Sequence, residues 1–320
     1  MMITFHNQPK LSEHEIDHTF NERRLALIPL IESYITSHAQ FEGKDVGVTF
    51  AQRGISSLIS IIDAANEKSV LKIPLNSKVA AGEAQFLNAW EQAGVKVPHI
   101  FEEGSMGGHS FIHMEFIDAP ILSEAYSPEE LAQNGLAKEM GRILRRMHAT
   151  EAKGFGLVVE GNAQFDTFDA WITNEDIEKR ISYTKEHNLL SDEHGSIELA
   201  QEILKEHVAR GSTSSYCHDD FGSANIFATD PLTVFDPNPR FNNGYLDLGR
   251  GAVLLLAFGK SPDLMIEGYF ENDSRDERVL HASILLNTYT KFPYWHKTNS
   301  KSRILNMQEY LTQNKSLLAE

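Results

Sequence analysis

The chain has 320 residues, 41% hydrophobic and 23% charged, and these fractions exclude a disordered, collagen-like or disulfide-stapled polymer. Its length suits two domains or lobes, and a formal net charge of −16 disfavours a sequence-independent grip on a phosphate backbone, so no nucleic-acid partner is expected. The single cysteine, Cys217, allows no intrachain disulfide; the start Met1–Lys10 lacks a signal pattern and the best apolar run is only Ala252–Phe258, so a cytoplasmic protein with no membrane partner is expected.

In chain order, Ser12 with Glu15 three positions on reads as a capping box, followed by Ile16, Phe20, Leu27, Ile31 and Tyr34 at helical spacing. Residues 1–42 are therefore expected to form an N-terminal helical extension. Three β-rich runs come next, Val46–Phe50, Leu58–Ile62 and Val70–Ile73. A helix is expected over Val79–Gln92, closed by Gly94, and two more strands over Val97–Phe101 and Ser110–Ile117. From Ser127 helical patterns take over, at Glu129–Met147, Asn174–His187, Ser196–Ala209 and Leu246–Phe258. The interruption at Ser215–Asp236 alternates short apolar pairs with turn residues. The reading is an α+β, two-lobed fold: a small five-stranded antiparallel β lobe over 43–117, then a larger, mostly helical lobe over 118–320.

Chemistry concentrates at His218-Asp219-Asp220-Phe221-Gly222-Ser223-Ala224-Asn225, which fits H-x-D-x-x-x-x-N, the spacing of a kinase catalytic loop. A carboxylate (Asp220) orients or accepts the proton of an attacking hydroxyl, and an amide oxygen (Asn225) binds a metal without adding charge. Eleven residues beyond Asn225, Asp236 ends a short strand, where a second oxygen ligand for Mg²⁺ is required. Upstream, Lys72 interrupts the apolar run Val70–Ile73, and a buried ammonium needs an anionic partner; Glu83 is the better candidate and Glu91 the weaker. Between the first two strands, the segment containing Gly54, Ser56 and Ser57 offers backbone N–H groups and hydroxyls to phosphates, though with one glycine only.

The order of these motifs resembles the aminoglycoside phosphotransferase family, small-molecule kinases with a protein-kinase-like fold. The matching stretches are Val70–Ile73, Gly82–Glu83 through Gly94–Pro98, His113–Ile117, Gly141–His148 and Cys217–Asp247, together about residues 46 to 258. The resemblance implies that Lys72 holds the α- and β-phosphates of ATP and pairs with Glu83, that the backbone of Glu115 and Ile117 binds adenine, that Asp220 is the catalytic base, and that Asn225 and Asp236 hold Mg²⁺. It also implies structural roles for Asp247, bound to the catalytic-loop backbone, and for His148. The chain departs from the family where Asp236 is followed by Pro237-Asn238-Pro239, a variant similar to the streptomycin and hydroxyurea kinase branch, and where Asp219 replaces a common Gly. Asp219 either raises a neighbouring pKa or faces solvent.

The resemblance thus implies an ATP- and Mg²⁺-dependent transfer of the γ-phosphate to a hydroxyl of a small molecule, either an aminoglycoside-like antibiotic, with resistance as its consequence, or a hydroxylated or amine metabolite. The alternative is a kinase-fold nucleotide-binding regulatory protein without phosphotransfer; the intact set Lys72, Asp220, Asn225 and Asp236 argues against it. Six acids in Asp263–Arg278, and Asp166, Asp169, Glu175 and Asp176, offer either a cleft for a cationic acceptor or a solvated helix face. His14-Glu15-Ile16-Asp17-His18 matches the zinc-peptidase spacing, but Glu15 is already used by the capping box and no third ligand is identifiable. Cys217 reads as a buried thiol rather than a nucleophile.

Overall fold

The computed structural model describes residues 1–190, 196–271 and 273–314, and within 118–320 the expectations for residues 191–195, 272 and 315–320 lie outside the described residues. The chain divides into two compact units, the first made of Met1–Asn88, Val97–Ala119 and Val159–Gly161, the second of Ala89–Lys96, Pro120–Val158 and Asn162 onward.

The first unit holds β1 (Ile3–Phe5), α1 (His18–Ala26), α2 (Ile28–Ser37), β2 (Val46–Phe50), β3 (Ser57–Ala64), β4 (Glu67–Pro74), most of α3 (Ser77–Gln92), β5 (Ile100–Met106) and β6 (His109–Glu115). The strands form one sheet in the order β1-β2-β3-β4-β6-β5. Five are antiparallel, but the sheet is six-stranded and mixed, because β1 pairs parallel to β2 with Ile3 opposite Val46. A three-residue strand shows no periodicity, and its partner lies 43 residues away, so nothing local in the sequence marks it. Residues 1–42 are accordingly a strand plus helices rather than a helical extension alone.

The capping box does not form. Ser12 Oγ donates instead to Asp17 Oδ2 (2.7 Å), and Ser12 exchanges two hydrogen bonds with the Asn21 amide, so a 3₁₀ turn over Glu15–Asp17 precedes α1. Pro29 near the start of α2 supplies the pre-set φ that suits a first helical turn. The period-3.6 residues Leu27, Ile31, Tyr34 and Ile35 are buried against the alternating residues Val46, Val48 and Phe50 of β2 and Leu58 and Ile62 of β3. Each such burial stabilises by about 1.5–3 kcal/mol, so the N-terminal helices supply a large share of this unit's core.

The second unit holds α4 (Leu122–Ala125), α5 (Pro128–Gln133), α6 (Leu136–His148), β7 (Glu151–Ala152), β8 (Phe155–Val159), β9 (Asn162–Phe165), α7 (Phe168–Ile172), α8 (Glu175–Glu186), α9 (Ser196–Ala209), β10 (Ser214–Cys217), β11 (Ile226–Phe227), β12 (Thr233–Val234), β13 (Arg240–Asn242), α10 (Gly244–Ala257), α11 (Asp263–Phe270), α12 (Glu277–Lys297) and α13 (Lys301–Gln313). The single helix expected over Glu129–Met147 is broken by Gly135, whose φ of 71° starts α6 afresh. A second sheet, β7-β10-β13-β8-β9, was not legible because its strands are two to five residues long. The long α12 is buried on nearly every side, from Val279 to Trp295, and serves as the axis on which α8, α9 and α10 pack. At α6 and α11 the backbones touch: a Cβ at Gly141 would overlap the carbonyl of Met265, and one at Gly268 that of Lys138.

Candidate active site

In the first unit Lys72 lies in β4, flanked in register by Ile59 of β3 and Ile112 of β6. Its Nζ stands 2.6 Å from Glu83 Oε1, and both side chains are about 95% buried, with 5% and 6% of their surface exposed. The sequence-predicted ammonium–carboxylate pair is therefore present, in surroundings where each charge needs the other. Gly54 has a φ of 76° in the exposed β2–β3 loop; Ser56 is exposed and its carbonyl accepts from Leu75 N–H (2.9 Å), while Ser57 is already inside β3, opposite Pro74, and buried. Glu115 closes β6, with its N–H donating to His99 O (2.8 Å), and Ile117 follows two residues on.

In the second unit β10 delivers the chain into the loop that starts at His218. Asp247, near the start of α10 and 2% exposed, pins this loop: Oδ2 accepts from the backbone N–H of His218 (2.6 Å) and Oδ1 from that of Asp219 (2.7 Å). The Asp247 Oδ2 also accepts from His148 Nε2 (2.9 Å), whose Nδ1 accepts from the Tyr269 hydroxyl (2.9 Å). The fully buried His218 ring stacks on Trp90 (centroids 5.7 Å apart, 6° between planes) and its Nε2 donates to Phe235 O (3.0 Å). Asn225 Nδ2 donates to the backbone carbonyl of Asp220 (2.8 Å) and to its Oδ2 (3.2 Å), which commits the amide's nitrogen and leaves its oxygen as the group's acceptor. The hairpin of β11 and β12 then returns the chain, and Phe235 N–H donates to Asn225 O (3.1 Å), so that Asp236 follows directly on the residue bonded to Asn225. Asn225 and Asp236 offer hard oxygen donors of the kind Mg²⁺ takes.

Asp219 is only partly exposed and is committed to partners, and its charge acts to raise neighbouring groups, namely the Cys217 thiol, Arg250 and Lys291. Its Oδ2 accepts from Asn238 Nδ2 and Arg240 Nε, both at 2.7 Å. Burial alone would raise its carboxyl, but the charges of Arg240, Arg250 and Lys291 hold it below the usual carboxylate range. Asp219 and Asp236 both adopt φ of 56°, the left-handed region that short acidic side chains tolerate. Burial, with Asp247 close by, pushes the Cys217 thiol well up, and Sγ donates to Asn242 O (3.3 Å), which leaves no thiolate for nucleophilic work.

Sequence reasoning missed four cations around this loop: Arg180, Arg240, Arg250 and Lys291. Two carried a signal, since Arg250 interrupts the apolar run of α10 and Lys291 that of α12. Lys291 Nζ is 3.9 Å from Asp220 Oδ1, and burial, with Arg250 nearby, pushes its ammonium down to about 8. The acids of Asp263–Arg278 are largely committed: Glu267 pairs with Lys138, Glu271 with Arg142 and Asp273 with Arg145, while Asp276 caps α12 through Val279 N–H. Glu175 and Asp176 likewise pair with Lys179 and Arg180 one turn on. His14 and His18 belong to no cluster of three metal-ligating groups among the described residues; the one such cluster, His148, Cys217 and Asp247, is the buried support just described.

A β sheet with a buried Lys–Glu pair and a helical unit with a pinned H-x-D-x-x-x-x-N loop define an α+β, protein-kinase-like phosphotransferase. The chain belongs to the phosphotransferase enzyme family (APH), whose family model matches residues 48–238. It is 24% identical over 188 residues to a Staphylococcus aureus (strain NCTC 8325 / PS 47) protein named as a probable ketoamine kinase, a match covering 54% of this chain and 61% of that one. The chain thus spans less than two thirds of that relative's length. Its fold is similar to that of a thermostable mutant of the aminoglycoside phosphotransferase APH(4)-Ia in its apo form, at a TM-score of 0.60 and 13% identity, covering 83% of this chain and 94% of that one. It is similar also to a Thermobifida fusca protein provisionally assigned as a fructosamine-3-kinase, at a TM-score of 0.56 and 17% identity, covering 87% and 98%. APH(4)-Ia has also been solved in complex with ADP and hygromycin B. Among the described residues no helix is long and apolar enough to cross a membrane.

Proposed function

We propose that the chain is an ATP- and Mg²⁺-dependent kinase that transfers the γ-phosphate to a hydroxyl of a small sugar-derived molecule, with a ketoamine as the leading class. The observation that carries this is the Asp220–Asn225 pair, held 2.8 Å apart from amide to backbone carbonyl on a loop fixed by Asp247. Two relatives named for ketoamine or fructosamine kinase activity favour a sugar-derived acceptor.

In this reading the acceptor hydroxyl gives its proton to the Asp220 carboxylate as its oxygen attacks the γ-phosphorus; the bond to the bridging oxygen breaks and ADP leaves. Lys72, fixed by Glu83, binds the α- and β-phosphates, the backbone of Glu115 and Ile117 takes the adenine, and the exposed Gly54 and Ser56 serve the phosphates, whereas Ser57, buried in β3, does not. Asn225 and Asp236 would hold Mg²⁺, which when bound neutralises phosphate charge. The protein's own contribution is position: the proton acceptor is aimed by a hydrogen bond rather than left to rotate.

The test is to measure Mg·ATP binding and acceptor-dependent ADP release in two variants. Asp236→Asn is expected to weaken Mg·ATP binding, whereas Asp220→Asn keeps binding and loses turnover. Equal ATP affinity in the wild type and Asp236→Asn refutes the metal assignment. ATP binding with no turnover on any acceptor favours the regulatory alternative.

A further inference from the structure

Resting on the phosphotransfer reading, we infer that the acceptor carries an oxyanion, a carboxylate or a phosphate monoester, that docks on Arg250 beside the catalytic loop. The second unit contains a cavity of about 360 Å³, of small-ligand size, lined by Asp219 of the loop, Asp176 and Arg180 of α8, Arg240 of β13, Arg250 of α10 and Thr290 of α12.

The hydrogen-bond inventory of its guanidinium groups is one-sided. Arg240 uses Nε on Asp219, and Arg180 uses Nε on Asp176 (2.9 Å) and one terminal nitrogen on Thr290 O (3.3 Å). Arg250 uses Nε only, on the backbone carbonyl of Asp219 at 3.3 Å. Among the described residues neither terminal nitrogen of Arg250 makes a hydrogen bond, and no carboxylate lies within ion-pair distance of it. Yet Arg250 is only 9% exposed. The carboxylates of Asp219 and Asp220 are near enough to favour its charge without bonding its terminal nitrogens, and the planar fork left open there is the group that binds carboxylate and phosphate in pairs of parallel bonds.

The surrounding carboxylates do not fill that fork. Asp176 and Asp219 are each taken by another arginine, and Lys291 adds a further cation at the rim, next to Asp220. A polycationic acceptor would meet like charge here. A hydroxylated acid would instead set its anion on Arg250 and, a few bonds away, its hydroxyl near Asp220, because the loop residue lining the cavity is the immediate neighbour of Asp220.

The experiment compares acceptors that differ only at the charged group. Purified full-length protein with Mg·ATP is assayed for ADP release with the glucose–glycine ketoamine and with its glycinamide counterpart, and with a hexose, its uronic acid, its 6-phosphate and its 2-amino form. The acid should exceed its neutral counterpart in kcat/KM by roughly ten- to a hundredfold, the value of one charge-assisted pair. The uronic acid and 6-phosphate arms tell carboxylate from phosphate. Arg250→Gln should erase the preference while leaving KM for ATP unchanged. Arg180→Gln, at the half-exposed edge, should reduce the preference in part, and it decides the matter if Arg250→Gln fails to fold. Equal or better use of the amide or the amino sugar overturns the inference and leaves the kinase reading standing. A raised KM for ATP in Arg250→Gln with the acceptor preference intact overturns it too, since the guanidinium then serves the nucleotide. ADP release with no acceptor at all overturns the phosphotransfer reading, and this inference with it.

Discussion

Replacing Asp247 by Asn isolates what the carboxylate does, because shape is kept and one acceptor oxygen becomes an NH₂ group. The side chain is 2% exposed, and three donors converge on it: His218 N–H and His148 Nε2 on Oδ2, and Asp219 N–H on Oδ1. Two orientations of the amide are open. With its oxygen at the Oδ2 position, two bonds survive and Asp219 N–H faces an N–H. With its oxygen at Oδ1, both His218 and His148 lose their acceptor. The first is cheaper, and it strips the backbone N–H bond of Asp219, the residue at φ of 56° just before Asp220. A buried donor left unmade costs about 1–3 kcal/mol, and losing the charge on the remaining bonds adds a similar amount, so Asp247→Asn should cost roughly 3–5 kcal/mol. Against a total stability of about 5–15 kcal/mol, the variant should still fold at 25 °C.

Urea unfolding gives the stability change, and steady-state ADP release on folded protein gives the catalytic one. The unfolding midpoint should fall with m unchanged, and kcat should drop roughly 10²-fold, the effect of displacing a reacting group by about 1 Å. An Asn variant within about 0.5 kcal/mol of wild type and with undiminished kcat would show that the backbone of this loop needs no anion beneath it, and the account of how Asp220 is aimed would fail.

Gly141→Ala forces α6 and α11 apart, because the new methyl overlaps the Met265 carbonyl rather than a flexible side chain; thermal unfolding should show a loss of roughly 3 kcal/mol or more, while Ala at the solvent-exposed Lys179 should stay within about 0.5. Lys72→Met takes the ammonium from the buried Glu83 and should destabilise by about 3–5 kcal/mol, whereas the double variant Lys72→Met/Glu83→Leu should regain most of that stability yet remain inactive; recovery of turnover in the double variant would remove Lys72 from the phosphate-binding role. Burial pushes His281, 3% exposed, down to about 4 from 6.5, with Glu277 pulling the other way. The unfolded chain therefore binds the extra proton first, so this contribution is complete above pH 6.5 and lost as pH falls toward 4. Urea unfolding at pH 5 against pH 7 should show a loss of about 2 kcal/mol that His281→Leu removes.

What could be read in the sequence follows a physical rule. Val46, Val48 and Phe50 alternate, Leu27, Ile31 and Tyr34 recur every turn, and Lys72 breaks an apolar run, so local pattern alone reports strand, helix and buried charge. The H-x-D-x-x-x-x-N spacing is legible because the loop is contiguous and Asn225 bonds to Asp220 only five residues earlier. What stayed hidden was joined from afar. β1 finds its partner 43 residues on, and the short strands of the second sheet are selected by pairing rather than by propensity. The capping box at Ser12 and Glu15 failed for the same reason: Asp17 and Asn21 offered Ser12 better hydrogen bonds once the chain was folded. The cations around the loop come from α8, β13, α10 and α12, four elements spread over more than a hundred residues, and no spacing rule connects them.

The departure at Asp219 and the Asp-Pro segment explain each other. A left-handed position usually suits Gly, yet an acidic residue here gains two charge-assisted or amide bonds, to Arg240 and to Asn238. Asn238 lies between Pro237 and Pro239, whose rings fix their own φ, and its N–H donates to His218 O (3.0 Å). The segment after Asp236 is thus tied to the catalytic loop by side chain and backbone together, and His218 Nε2 on Phe235 O adds a third tie from the residue before it. A segment that must swing between two states cannot carry so many bonds in one of them without a partner to compensate in the other. The carboxylate at 219 therefore belongs to one network of bonds that ties both candidate metal ligands, Asn225 and Asp236, to a single arrangement of the loop.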